Sequence, residues 1–223
     1  MTPRPALTRT LLLLTALLPL ASWAASPASS PKGPSPVVDV DYTVIDGGQP
    51  YAPAKGKIEV VEVFGYTCPH CAHFEPVIRA WKAKLPADVR FTPVAAPMGG
   101  YWIPYARAFF AAQSMGLAGK THQAMFDALH VDGTLPISKP TPEEIAGFYA
   151  GRGADPQRFV AAMASPAVDA QLTRARDFMI RSGVAGTPAI VVNGRYRVIG
   201  TSFEDLLRIT DHLVARERAA PRR

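Results

Sequence analysis

The chain has 223 residues, 48% of them hydrophobic, and a formal net charge of +6. That length allows one or two domains with a sizeable core. The charge is mild and scattered, without a basic stripe interleaved with aromatics, which excludes nucleic acid as a partner.

Residues 1–24 read as a secretory signal peptide. Arg4 and Arg9 form the charged start, Leu11 to Leu20 the apolar segment, and Ser22-Trp23-Ala24 the small-residue site for a cut after about Ala24. The apolar segment falls short of the ~20 residues of a membrane span, although an uncleaved anchor is the alternative. No cysteine follows the apolar run, so no lipid-modified N-terminus is expected. Removal of the two arginines leaves a mature charge of about +4. Export places the mature protein in the periplasm, where disulfides persist.

Residues 25–36, rich in Ser, Pro and Ala, are expected to be a flexible leader. Val38, Val40, Tyr42 and Val44 alternate with polar neighbours, the period of a half-buried strand. Gly47-Gly48 and Pro50 to Pro53 break it. Ile58 to Phe64 is nearly continuous apolar sequence, interrupted by Glu59 and Glu62, and suits a central strand covered on both faces. The only two cysteines follow in Phe64-Gly65-Tyr66-Thr67-Cys68-Pro69-His70-Cys71. Phe74, Val77, Ile78, Trp81 and Leu85 then mark one face of a helix. Pro69 lies near its start, where a missing N–H costs nothing, and Pro86 ends it. Val89 to Val94 is a further strand.

From about Ile103 to Ser182 the pattern is helical. Tyr105, Phe109, Ala112 and Met115 form one stripe, and Met125, Phe126 and Leu129 another. Both read as the core of a helical subdomain, the alternative being a methionine-lined peptide groove. Pro142-Glu143-Glu144 starts a short helix, Asp155-Pro156 caps the next, and a longer one stops at Gly183. Ala189 to Val192 runs through the turn signal Asn193-Gly194 into Tyr196 to Ile199. Thr201 with Glu204 resembles a capping box for the last helix. Arg216, Arg218, Arg222 and Arg223 read as a frayed, solvated helix end. Strand segments at both ends of the chain, flanking a helical stretch, predict one sheet built from both ends. The expected division is 37–100 and 184–216 for the sheet-bearing domain, 101–183 for the helical insertion and 217–223 for a basic tail.

A thiol attacks or leaves only as thiolate, and a helix N-terminus stabilises that anion. Cys68 precedes Pro69 at such a terminus, while Cys71 lies one turn in. Cys68 is therefore expected to be the exposed, attacked sulfur and Cys71 the buried resolving one, with His70 supplying a nearby donor or positive charge. Anything that stabilises the thiolate makes the disulfide more oxidising. Three plainer readings compete. One is a structural disulfide, whose four-residue loop gains only ~2 kcal/mol before strain. Another is half a zinc site with His70 and His73, and the last is two unrelated buried thiols.

The tetrapeptide Cys68-Pro69-His70-Cys71 after a strand, followed by Phe74-Glu75, resembles the thioredoxin superfamily and within it the DsbA-type periplasmic oxidases. Val184-Ala185-Gly186-Thr187-Pro188-Ala189, followed by Val192-Asn193-Gly194, matches the same family. The resemblance covers about residues 37–216. It implies an α/β thioredoxin-like fold with an inserted helical subdomain. It implies a protein disulfide oxidoreductase working through a redox-active Cys68–Cys71 disulfide, with no cofactor and no metal. Catalytic roles go to Cys68, Cys71, His70, Pro69 and the buried acid Glu62; Thr187 and a cis Pro188 would bind substrate. Pro93 stands where the family often carries a lysine near that acid, which leaves Glu62 without that partner. A buried Glu62 could shuttle the proton of Cys71. Glu75 matches a second acid of the family but reads as a solvated helix residue, and His73 as a surface histidine. Tyr101-Trp102 would offer apolar surface to unfolded chains. The implied partners are reduced or unfolded exported proteins and a quinone-linked membrane oxidase like DsbB, the protein itself being a monomer. The alternatives are a disulfide isomerase or reductase of the same superfamily, or a periplasmic chaperone with incidental cysteines.

Overall fold

A computed structural model describes residues 31–220 together with Thr2. The signal-peptide reading, the leader up to residue 30 and the last three residues lie outside the described residues. Along the chain come β1 (Tyr42–Val44), β2 (Ile58–Phe64), α1 (Pro69–Lys82), β3 (Val89–Ala95), α2 (Trp102–Ser114) and α3 (Ala118–His130). Then follow α4 (Pro142–Ala150), α5 (Pro156–Met163), α6 (Pro166–Arg181), β4 (Ala189–Val192), β5 (Tyr196–Val198) and α7 (Phe203–Ala219).

The strands form one five-stranded sheet in the order β1-β5-β4-β2-β3, drawn from both ends of the chain. β2 runs parallel to β3 and antiparallel to β4. Its central place explains the near-continuous apolar run, because both faces are covered. On one face Val60 joins Phe74 and Ile78 of α1 and Ile209 and Leu213 of α7. On the other, Val61 and Val63 join the core of the helical segment, including Phe109, Phe126, Tyr149, Phe159 and Phe178. The β4–β5 turn uses Asn193 and Gly194, both at positive φ (50° and 66°), as a tight hairpin of this kind requires. A Cβ at position 194 would also lie 2.0 Å from the Gln49 carbonyl oxygen.

Caps set the helix limits. Thr141 and Glu144 form a reciprocal capping box, and Asp155 and Ser165 accept from the third residue of α5 and α6. Gly183, at φ 64°, ends α6 with Val184 N–H donating back to the Met179 carbonyl.

Several expectations are corrected. The first strand spans only three residues. Asp39 at φ 62° turns the chain, so Val38 and Val40 are exposed and Tyr42 is buried. Met115 ends its helix exposed rather than completing a core stripe. The cap of α7 is Ser202, accepting from Asp205 N–H, while Asp205 also takes Thr201 N–H; the pair is one residue beyond Thr201 and Glu204. The chain end is not frayed at Arg216 and Arg218. α7 continues through Ala219, Arg218 holds Asp88 with two bonds of 2.6 and 3.0 Å, and Arg216 donates to the Tyr42 hydroxyl.

Candidate active site

Cys68 is the N-cap of α1, in extended conformation, with Pro69 at the first helical position. Proline brings no N–H, so the free amides offered to the Cys68 sulfur are those of His70 and Cys71. Gly65 lets the preceding turn pass beneath Trp102: a Cβ there would stand 1.9 Å from the indole ring. Across from the helix start, the peptide bond Thr187–Pro188 is cis, and the Thr187 carbonyl oxygen lies 3.5 Å from Cys68 Sγ. Five of the predicted residues, Cys68, Pro69, Cys71, Thr187 and Pro188, thus belong to one locality, the junction of β2 and α1 facing the start of β4.

Both cysteines are free thiols, and their environments differ. Cys71 is fully buried, and that burial pushes its thiol well up, with the demand of Cys68 for its hydrogen adding to the effect. The Cys68 thiol is pulled down to about 5. The Cys71 thiol donating to it is the largest cause, burial opposes, and the amides of Cys71 and His70 assist. The buried Thr187 hydroxyl makes no hydrogen bond, and the Thr187 carbonyl accepts from the protonated thiol and works against ionisation.

Two expectations about this pair change. Cys68 is only 6% exposed, so the sulfur expected to be attacked is buried rather than on the surface. His70 is exposed, and among the described residues its contribution to Cys68 comes through the backbone N–H rather than a ring hydrogen bond. His73 is exposed as well.

Glu62 is buried at the centre of β2, with Pro93 of β3 and Ile190 of β4 as its neighbours in register. Burial pushes its carboxyl up to about 8, and the nearby Glu75 adds to this. One of its oxygens has no hydrogen-bond partner. Glu75 is not solvated as the sequence reading has it. It is 3% exposed, and burial raises it to about 6 against the opposing pull of Lys82 and Arg79. His122 of α3 completes the group. Its Nε2 faces Glu75 Oε2 at 3.5 Å and its Nδ1 meets the Tyr66 hydroxyl at 2.9 Å. Burial holds its imidazole down to about 3, so it is neutral and the contact with Glu75 is not an ion pair.

One donor atom from each of Glu62, Glu75 and His122 lies within 4.8 Å of the others. This is the one such trio among the described residues close enough to share a cation, but the two carboxyls, raised by burial, favour protons there. Sequence reading placed Glu75 in solvent and did not single out His122, although spacing carries a signal for both. Glu75 falls between Phe74 and Ile78 on the apolar face of α1, one turn from Cys71. His122 stands at the head of the stripe Met125, Phe126 and Leu129.

Residues 87–209 match the family described as DSBA-like thioredoxin domain. The chain belongs to the DsbA-like thioredoxin family. That match begins after the cysteine pair, but relatives align across it. The thiol:disulfide interchange protein DsbA of Pseudomonas aeruginosa is 38% identical over 95% of this chain and 99% of its own length. The protein of the same description from Azotobacter vinelandii is 45% identical over 74% of this chain and 77% of its own. Among solved structures, the oxidoreductase DsbA from Xylella fastidiosa superposes with a TM-score of 0.81 at 55% identity, covering 83% of this chain and 99% of its own. The fold is accordingly the α/β thioredoxin-like fold with a helical insertion, five helices standing between β3 and β4.

Proposed function

We propose that this protein is a thiol:disulfide oxidoreductase that introduces disulfide bonds into exported proteins, with Cys68–Cys71 as its own redox centre and no further cofactor. The observation that carries the reading is the inequality of the two thiols. One thiol is buried yet pulled down to about 5, and the other is buried and held protonated. An anion stabilised only after the disulfide opens favours the reduced protein, so the disulfide is readily given away.

A substrate thiolate attacks Cys68 Sγ, forming the mixed disulfide. The Cys68–Cys71 bond breaks and its electron pair goes to Cys71. Cys71 then needs a proton in a dry site, and Glu62, protonated at neutral pH, is the donor we assign. The second substrate thiolate attacks the substrate sulfur of the mixed disulfide and expels Cys68 as thiolate. Two electrons have moved from substrate to enzyme. Thr187 and Pro188 would hold the substrate backbone beside Cys68, and Tyr101 and Met98, both exposed near Trp102, offer apolar surface to unfolded chains.

Residues 1–24, cleaved after about Ala24, would deliver the chain to the periplasm, where a quinone-linked membrane oxidase like DsbB would reoxidise it as a monomer. No helix among the described residues is long and apolar enough to cross a membrane.

Redox equilibration with glutathione tests the assignment. An oxidising potential is expected for the wild type, and a strongly reducing one overturns the oxidase reading in favour of a reductase. His70→Ser keeps the backbone N–H and removes the ring, so the same measurement divides the contribution of His70 between the two. Cys68→Ala is expected to abolish disulfide transfer; a variant that still transfers disulfides removes Cys68 from the reaction. Cys71→Ala is expected to accumulate mixed disulfides with exported proteins.

A further inference from the structure

The proton of Cys71 must come from somewhere in an interior that excludes water, and Glu62 does not stand alone there. Cys71 and Glu75 are four residues apart on the buried face of α1, so their side chains stack one turn apart. Glu75 in turn brings an oxygen within 4.8 Å of the carboxyl of Glu62 and of the imidazole of His122. His122 comes from α3, in the helical segment, and β3 offers Glu62 only Pro93. Glu62 Oε2 is buried without a hydrogen-bond partner.

We infer that His122 is a positioning residue for thiol–disulfide exchange: it holds Glu75 against Glu62, and the two carboxyls form a shared proton store for Cys71. This rests on the oxidoreductase reading above and deepens it.

His122 acts in the neutral tautomer with hydrogen on Nε2, the nitrogen facing Glu75, which leaves Nδ1 to accept from the Tyr66 hydroxyl. Two carboxyls this close in a dry site do not both ionise readily, and they titrate as a pair. When the electron pair lands on Cys71, the store gives it one proton and becomes doubly charged. The Nε2–H then stabilises the Glu75 carboxylate until a proton from solvent restores the store. The charged and titratable groups bearing on the trio are Lys82 and Arg79 of α1, Tyr66 after β2, and Tyr149 of α4, which presses on Tyr66.

His122 also packs among aromatic rings, with centroids 4.7 Å from Phe64 and 5.3 Å from Phe126. His122→Phe therefore keeps the ring and removes only the hydrogen bonding, while His122→Gln restores an N–H. The experiment is carbon-13 NMR titration of the Glu62 and Glu75 carboxyls in the oxidised and reduced full-length protein, alongside the pH profile of peptide dithiol oxidation. In wild type the carboxyls titrate as a coupled pair whose steps move when Cys71 is reduced. In His122→Phe the lower step rises by about one pH unit, a tenfold gain in proton affinity, and the kinetic inflection rises with it. In His122→Gln both return toward wild type. Identical carboxyl titrations and pH profiles in wild type and His122→Phe would reduce His122 to a space-filling ring and overturn the inference, leaving the oxidase reading intact. A wild type that exchanges no disulfides overturns both.

Discussion

Glu59 and Glu62 lie three residues apart on β2, each 2% exposed, and they face opposite sides of the sheet. Glu59 is saturated. It accepts from Ala52 N–H, from Arg90 at 2.8 Å and from the Thr92 hydroxyl at 2.7 Å. Glu62 has an unpartnered oxygen, a proline across the strand and another carboxyl beside it. A buried charge is tolerated where hydrogen bonds and a counter-ion replace water, and otherwise the group takes a proton. The same residue type on the same strand is thus an anchor on one face and, in the role proposed above, a proton carrier on the other. What distinguishes them is the donor set supplied by β3, where Arg90 and Thr92 serve one face and Pro93 the other.

Removing the anchor gives the largest loss. Glu59→Ala leaves Arg90 and the Ala52 amide without their acceptor and is expected to cost ~3–5 kcal/mol, read by urea unfolding, while disulfide transfer by the folded fraction is unchanged. A loss no larger than that of an ordinary surface substitution would show that the two carboxylates are not different in kind.

Glu62→Gln should do the reverse. The folded carboxyl holds its proton up to about 8, against 4.5 for an ordinary glutamate. Between these values the folded chain binds the extra proton, so stability falls as pH rises through that window and the full penalty stands above it. Glutamine has no such proton. Reduced Glu62→Gln should match wild type below pH 4.5 and exceed it above pH 8 by on the order of 5 kcal/mol. Exchange should slow roughly a hundredfold, since the amide has no proton to give. Parallel stability curves for the two proteins across that window would remove Glu62 from the role of proton carrier.

Much of this contrast can be read from the residues themselves, and the limits are physical. The cysteine pair, Pro69 and the Asn193-Gly194 turn act through local geometry, so their places follow from the chain nearby. The two glutamates within an apolar run announce burial, because Ile58 to Phe64 leaves no face for solvent. Their division into two kinds does not follow locally, since the donors to Glu59 lie more than thirty residues on, at Arg90 and Thr92, and Glu75 meets its partner His122 only where α1 and α3 pack. The same distance hides Asp88 from Arg218, which is why a held helix end reads as a loose tail. The false strand at Val38 and Val40 has a different cause: alternation marks a strand only where a sheet partner exists, and Asp39 turns the chain before one is reached. For Ser202, a serine beside Thr201 offers two nearly equal caps, and Asp205 serves both, its carboxylate accepting from Thr201 N–H and its backbone N–H donating to the Ser202 hydroxyl.

Pro93→Lys asks whether the donor set on β3 is what separates the two acids. β3 is an edge strand, where replacing proline disturbs no inner ladder. An ammonium opposite Glu62 in register should bring that carboxyl down by roughly 1–2 units, and the pH window of stability should move down with it. A Glu62 titration unmoved by the new lysine would mean that burial alone, not the missing partner, sets its proton affinity.

The smallest effect comes from the anchor's lesser donor. Thr92→Val keeps the branched shape and removes only the 2.7 Å hydroxyl bond to Glu59. Arg90 and the Ala52 amide still hold the carboxylate, so no buried charge is abandoned, and the cost should be ~1 kcal/mol. Because Thr92 serves the face away from Glu62, the carboxyl titration of Glu62 and the pH profile of exchange should not move. If Thr92→Val were to cost as much as Glu59→Ala, the three donors would act as one indivisible unit. If it shifted the Glu62 titration, the two faces of β2 would be electrostatically joined through the strand, and the separation of anchor from carrier would fail.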